Sequence, residues 1–302
     1  MKLVVVGSAN TDMVVKTKKM PIPGETVLGG DFCMNQGGKG ANQAVCARKL
    51  GMDVGFYARL GRDIFGENAL KYYKELGIDT QKIELIPTSP SGVALITVDE
   101  KGENSIVVAS GANSAVLPLD VEYAKDYINE FDGLLVQFEI PLKSVTTAIE
   151  VAYQRGKFIV VNPAPAKEIN DRYFKMMDVL IPNRGEARQL LGMAPDDDSK
   201  TPEELAHLLR DKGAKAVVIT LGTEGSFVSS QEGDFHVDCV KVNVVDTTGA
   251  GDAYCAALTC GCLWGKTLKE ACEFASLVSA LKVTKMGAQS SPTMEEVEKA
   301  GL

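Results

Sequence analysis

The sequence predicts an α/β fold: three layers, α/β/α, with a mainly parallel central sheet and a small β-sheet lid above it. Three observations predict it. Apolar, β-rich runs that end in turn residues are repeatedly followed by helical patterns, which is the alternation of a parallel sheet covered on both faces. Two pairs of strand-like runs have no helix between them and interrupt that alternation. The chain has 302 residues, 45% hydrophobic and 24% charged, which supplies a large core and fits one domain over 1–302.

The elements follow in order. "KLVVVG" (2–7) is a buried first strand; its apolar run is far too short for a leader or a membrane span. "MVVKTKK" (13–19) and "ETVLGGDFCM" (25–34) flank the turn "PIPG" and begin the lid. "VGFYARLG" (54–61) leads into the helical "DIFGENALKYYKELG" (63–77). "GVALITVDE" (92–100) and "NSIVVAS" (104–110) flank "KGE" as a hairpin and complete the lid, whose segments span about 10–36 and 91–112. "GLLVQ" (133–137) leads into "LKSVTTAIEVAYQRG" (142–156), and "FIVVN" (158–162) and "DVLIPN" (178–183) follow. "AVVITLG" (216–222) comes after the helical "PEELAHLLRDKG". An antiparallel extension of the main sheet is the alternative reading of the lid. In open sheets of this kind ligands bind beyond the carboxyl ends of the strands.

Composition excludes several classes. The net charge is −8 and no Lys/Arg block occurs, which argues against nucleic-acid or anionic-membrane partners. Seven Cys are scattered, and Cys255, Cys260, Cys262 and Cys272 lie in apolar helical patterns. They read as small buried hydrophobes in a reducing cytoplasm. "CGC" (260–262) lacks a second ligand pair, and only His207 and His236 exist to help, so a zinc site is not expected.

Six stretches carry candidate chemistry. In "VDTTGAGDAY" (245–254), Gly249, Ala250 and Gly251 leave N–H groups bare at the start of an apolar helix, where an anion is favoured. Asp252 is then either first-turn decoration or a base beside a developing charge. "NQGGKGANQA" (35–44) sets Gly37, Gly38, Gly40 and Lys39 at another helix entry. It suits an anion or a polyhydroxyl ligand, or is a plain entry turn. Its spacing is not that of a Walker loop, and the lid-like strand before it excludes a dinucleotide fingerprint. Asn10 and Asp12 follow the first strand and accept hydrogen bonds as sugar-binding residues do, or form a turn. Glu139, after "LLVQ", is a second acceptor or a loop acid. Asn183 and Glu186 in "NRGEARQLLG" form a capping box, or hold Mg²⁺ through water. Thr220 opens "TLGTEGS", a hairpin turn or a loop against which a nucleotide lies.

With those stretches in hand, the chain resembles the ribokinase/phosphofructokinase-B family of sugar kinases, and most nearly its ribose-phosphorylating branch. "GGKGANQAVCARKLG…ARLG" matches the family's N-terminal signature and "DTTGAGDAYCAAL" the C-terminal one. "VNPAPA" (161–166), "PNRGEA" (182–187), "TLGTEG" and "VTKMGAQSS" (283–291) extend the likeness over nearly the whole chain. The resemblance implies ATP-dependent phosphorylation of the ribose 5-hydroxyl. Asp252 would be the catalytic base and the amides of 249–252 the anion hole. Asn10, Asp12, Gly38, Lys39, Asn42 and Glu139 would hold the sugar. Asn183, Thr220, Gly222, Gly225, Gly251 and Ser276 would lie along ATP, with Glu186 near Mg²⁺. Potassium activation is implied too, with Asp246, Thr248, Lys282, Lys285, Gly287 and Ser291 at the positions that hold the ion, several through backbone carbonyls. The lid would pair with that of a second subunit. Gln36 stands where some members carry an aromatic residue beside the sugar, and Ser276 where some carry His or Asn near the adenine. A sister kinase for fructose, deoxyribose or adenosine, and a catalytically silent sugar-binding protein, are the other readings.

Overall fold

The computed structural model describes residues 1–301. The chain opens with β1 (Lys2–Val6), β2 (Asn10–Lys16) and β3 (Phe32–Gly37), then α1 (Lys39–Lys49), β4 (Asp53–Gly61) and α2 (Ile64–Glu75). Next come β5 (Ile83–Ile86), β6 (Gly92–Val98) and β7 (Asn104–Ala109), the short helices α3 (Pro118–Tyr123) and α4 (Lys125–Asn129), and β8 (Gly133–Gln137). They are followed by α5 (Leu142–Gln154), β9 (Phe158–Asn162), β10 (Val179–Leu180), α6 (Arg184–Leu190) and α7 (Pro202–Asp211). The chain ends with β11 (Ala216–Thr220), β12 (Ser226–Ser230), β13 (Gly233–Val237), α8 (Ala250–Leu263), α9 (Leu268–Val283) and α10 (Met294–Lys299).

Nine strands form the central sheet in the order β13-β12-β11-β10-β9-β8-β1-β4-β5. All pairings are parallel except the terminal hairpins β11–β12 and β12–β13. Alternation explains the two cores. Leu3 and Val5 of β1 face the core covered by α1, α2, α8 and α9, while Val4 and Val6 face the core covered by α3 to α7. A strand buried on both faces reads as an unbroken apolar run, as β1 does. β1 lies between β4 and β8; the helix after β1, α1, packs on one face and the helix after β8, α5, on the other, so the carboxyl ends of β1 and β8 flank a switch point.

A separate four-stranded sheet, β3-β2-β6-β7, is the lid. Its β6–β7 pair is the expected hairpin. Its central pair, β2–β6, is parallel, which joins the two inserted segments side by side. The second lid strand lies later than expected: residues 25–31 form no strand, and β3 continues through Gln36 to Gly37. Pairing explains the shift, because Asn35, Gln36 and Gly37 lie opposite Asp12, Thr11 and Asn10 and are held by the ladder despite their polarity. "DVLIPN" contributes only the two residues of β10, and β5, β12 and β13 had no counterpart among the expected strands. All seven cysteines are free; Cys255, Cys260 and Cys272 are buried and Cys262 is half-buried. Among the described residues no helix is long and apolar enough to cross a membrane.

Candidate active site

The carboxyl ends of β1, β8, β9 and β11 and the openings of α1, α6 and α8 converge beneath the lid. Helix α8 begins at Gly249, whose φ of 78° is left-handed. A Cβ there would stand 2.6 Å from the Ala288 carbonyl oxygen, so both conformation and space demand glycine. No side chain caps the helix. Among the described residues the N–H groups of Gly249, Gly251 and Asp252 have no protein partner, whereas that of Ala250 donates to Thr247 O at 3.1 Å. The anion hole expected over 249–252 therefore has three free amides, and Ala250 contributes geometry alone.

Asp252 sits in the first turn of α8, 7% exposed. Its Oδ2 accepts from Asn42 Nδ2 at 2.8 Å and its Oδ1 from Gln43 Nε2 at 3.0 Å, so α1 clamps it from both sides. Burial raises its pKa; the Lys39 ammonium and those two amides pull the other way. One cleft brings Asp252 together with Lys39, Asn183, Glu186, Thr220 and the 249–251 turn.

On the sugar side, Gly38 (φ 88°) presses against the backbone of Ala9 and Asn10 and so brings the opening of α1 onto the end of β1. Lys39 N donates to Glu139 Oε2 at 3.0 Å, and Ser8 Oγ donates to the same oxygen at 2.6 Å. Asn10 Oδ1 accepts from Asn113 Nδ2 at 2.7 Å. Asp12 is 8% exposed, yet among the described residues its carboxylate accepts no hydrogen bond from the protein. Burial, with the nearby carboxylates of Glu139 and Asp252, lifts its pKa to about 6, against the pull of Lys39. Burial opposes the Lys39 charge, but Asp252, Glu139 and Glu186 outweigh it and hold that ammonium firmly protonated. Asn42 Oδ1 and Gln36 Oε1 are buried without partners. A ligand-free site with unpaired buried acceptors suits a polyhydroxyl guest.

Asn183 and Glu186 do form the capping box: Glu186 N donates to Asn183 Oδ1 and Asn183 N to Glu186 Oε2, each at 2.8 Å. Both also line the cleft, so capping and facing the ligand are compatible. Burial raises the Glu186 pKa, opposed by the Asn183 N–H and Lys39. Among the described residues no three His, Cys, Asp or Glu side chains gather around a metal-sized space. Glu186 Oε1, which the capping box leaves free, is a hard oxygen donor of the kind that fits Mg²⁺ held mainly by phosphate and water.

Gly222, Gly225 and Ser276 do not line that cleft. Gly222 and Gly225 shape the β11–β12 turn, both with positive φ. Ser276 Oγ donates to Asp238 O at 2.9 Å.

The residues expected to hold potassium do not fit an ion. Lys282 stands at one of those positions, but its own Nζ donates to Asp246 O at 2.9 Å. Gly287 O accepts from Ser290 Oγ at 2.7 Å, and Ser291 O from Lys49 Nζ at 3.3 Å. Asp246 spends its carboxylate on Thr248 N (2.9 Å) and Gly287 N (2.8 Å), and Lys285 pairs with Glu296. A cation entering here meets an ammonium already lodged on the carbonyl.

Four site residues escaped sequence reasoning: Ser8, Gln43, Asn113 and Asn162. Gln43 Oε1 accepts from Gln137 Nε2 at 2.5 Å, and its Nε2 is shared between Asp252 and Asn162 Oδ1 at 3.1 Å. A signal existed for part of this network, since Gln137 and Asn162 are polar ends of wholly apolar strands. Nothing in the sequence pointed to Asn113.

The pfkB carbohydrate kinase family model matches residues 1–294, and the chain belongs to that family. Within it the chain is a ribokinase-family sugar kinase. It is 39% identical over 295 residues to a ribokinase of Haemophilus influenzae, covering 97% of this chain and 96% of that one. It is 36% identical over 298 residues to a deoxyribokinase of Salmonella typhi, covering 98% and 97%. Its fold superposes on the Arabidopsis thaliana ribokinase complexed with ribose and ATP with a TM-score of 0.88 at 30% identity, covering 99% and 97%.

Proposed function

We propose that the protein transfers the γ-phosphoryl group of ATP to the 5-hydroxyl of D-ribose. The observation that carries this reading is the juxtaposition in one cleft of a clamped, buried carboxylate, Asp252, with the unpartnered amides of Gly249, Gly251 and Asp252. In-line phosphoryl transfer needs a proton acceptor beside a cradle for the charge of the transferring group. The ribose and ATP complex formed by the Arabidopsis relative supports both substrates.

Asn10, Asp12, Asn42, Lys39 and Glu139 hold the sugar, with Gly38 giving close approach. Asn42 uses a buried acceptor that the protein leaves unpaired, and Asp12 a carboxylate that accepts no protein hydrogen bond among the described residues. Asp252 takes the 5-hydroxyl proton as that oxygen attacks phosphorus. The amide dipoles of the α8 start stabilise the equatorial oxygens, and Lys39 offsets the repulsion between Asp252 and the triphosphate. Asn183 and Thr220, which line the cleft, lie along the nucleotide, and Gly222, Gly225 and Ser276 meet it where it extends beyond that cleft. Glu186 would hold Mg²⁺ through water, and the ion would neutralise phosphate charge. The lid excludes water, which otherwise competes as nucleophile.

Two copies of the chain pair through their lids. Met34, Met13, Leu95 and Val107 stand in one register row across the four strands, and Met34, Leu95 and Val107 are each more than half exposed. An apolar row of that kind on a sheet face is an association surface. ADP release measured over a panel of ribose, 2-deoxyribose, fructose and adenosine tests the substrate. Ribose should give the highest kcat/KM. The likeness to a deoxyribokinase makes 2-deoxyribose the rival, and a preference for it would replace ribose in this reading.

A further inference from the structure

Lys282 is fully buried, at 0% exposed, near the end of α9. Among the described residues no carboxylate oxygen lies within ion-pairing distance of its Nζ, whose partner is the carbonyl of Asp246 at 2.9 Å. Desolvation pushes its pKa below the lysine range, while Asp246 and Asp252 draw it back up. Taking an ammonium out of water without a paired carboxylate is unfavourable, so its place in the fold calls for a reason. That place is the loop that builds the anion hole. Val283 O, at the carbonyl end of α9, accepts from Val245 N at 2.8 Å and Asp246 N at 3.1 Å. The Asp246 carboxylate ties the loop to Thr248 N and Gly287 N, and Ser279 Oγ donates to Ala250 O at 2.9 Å. The negative end of a helix, a carboxylate and an inward carbonyl together make a site for one positive charge. Lysine supplies that charge covalently.

We propose that the Lys282 ammonium is a built-in monovalent cation, which stands where a potassium ion was expected and makes the protein indifferent to potassium. Lys282 is a positioning residue: it sets the 245–249 loop and adds a fixed positive charge behind the amides of Gly249 and Gly251. Lys49, on the carbonyls of Gln289 (2.7 Å) and Ser291, closes the neighbouring turn in the same manner. The inference rests on the phosphotransferase reading for its catalytic consequence, but the cation site itself does not.

The test compares potassium chloride with tetramethylammonium chloride at equal ionic strength, reading both sugar-dependent ADP release and the thermal midpoint of the ligand-free protein. Wild type should differ by less than about twofold in turnover and show the same midpoint in both salts. Lys282→Ala should lose about tenfold to a hundredfold in tetramethylammonium, less than the roughly 10²–10³ for deleting a direct anion-hole donor. Potassium, rubidium or ammonium should restore much of that loss and raise the variant's midpoint. A wild type that needs potassium overturns the proposal. So does a variant indifferent to every salt, or one whose loss no cation restores, since Lys282 would then be only a structural tie. Should Lys282→Ala fail to fold, Lys282→Gln takes its place, and the wild-type salt response decides if neither folds. If no sugar is phosphorylated, the kinase reading falls alone, because the midpoints still report on the cation site.

Discussion

Replacing Asp12 by Asn should stabilise the empty protein and cripple the loaded one. In the absence of ligand Asp12 is 8% exposed, accepts no protein hydrogen bond among the described residues, and shares its surroundings with Glu139 and Asp252. Its pKa rises from the ordinary 3.8 to about 6. At 1.36 kcal/mol per pH unit, a rise of about two units is a penalty of roughly 3 kcal/mol on the ionised folded state. The sign follows from proton counting. Between 3.8 and 6 the folded state binds more protons than the unfolded one, so stability falls as pH rises through that window. The penalty is absent below about 4 and complete above about 6. Asn carries no charge at any pH, so Asp12→Asn should exceed wild type by up to roughly 3 kcal/mol at pH 8, less the cost of burying its amide. The two proteins should converge near pH 4. Urea unfolding of the ligand-free proteins from pH 4 to 8 measures this. On the proposed reading the hydroxyls of ribose donate to Asp12 and should depress its pKa, so calorimetry near pH 6 should show proton release on binding, which the variant lacks. A variant less stable than wild type at pH 8, or a difference independent of pH, would refute the reasoning.

Asp252→Asn should lower kcat by about 10²–10⁴ while ATP still binds, because the proton acceptor is lost and the new amide faces the donors of Asn42 and Gln43; single-turnover kinetics with a nucleotide-binding control checks it, and near-normal turnover would remove Asp252 from the role of base. Gly249→Ala should cost about 1–3 kcal/mol in stability, since φ is 78° and Ala288 O stands 2.6 Å from the added Cβ; an unchanged unfolding midpoint would contradict the geometry. Glu186→Gln keeps a cap of the same length and should raise the Mg²⁺ concentration for half-maximal rate more than the ribose KM, which titrations of each separate. Leu95→Glu puts a charge into the apolar lid row and should yield monomers in sedimentation velocity, whereas an unaltered dimer would place the interface elsewhere.

What the sequence settled by itself was whatever follows from near neighbours along the chain. The unbroken apolar run of "KLVVVG" marked β1 as a buried strand, and the glycine-led start of α8 was legible as a helix opening with bare amides. The capping box of Asn183 and Glu186 was legible because its partners are three residues apart. Tertiary structure alone decided what depends on distant partners meeting. Gln43 reaches Asp252 across 209 positions and Asn113 reaches Asn10 across 103, through packing that no local pattern encodes. The parallel β2–β6 pairing likewise depends on how two insertions meet above the sheet. Lys282 shows the limit most clearly. The family resemblance placed it among the positions that hold a cation. Only the direction of its side chain, set by the packing of α9 against the 245–249 loop, revealed an ammonium in that ion's place.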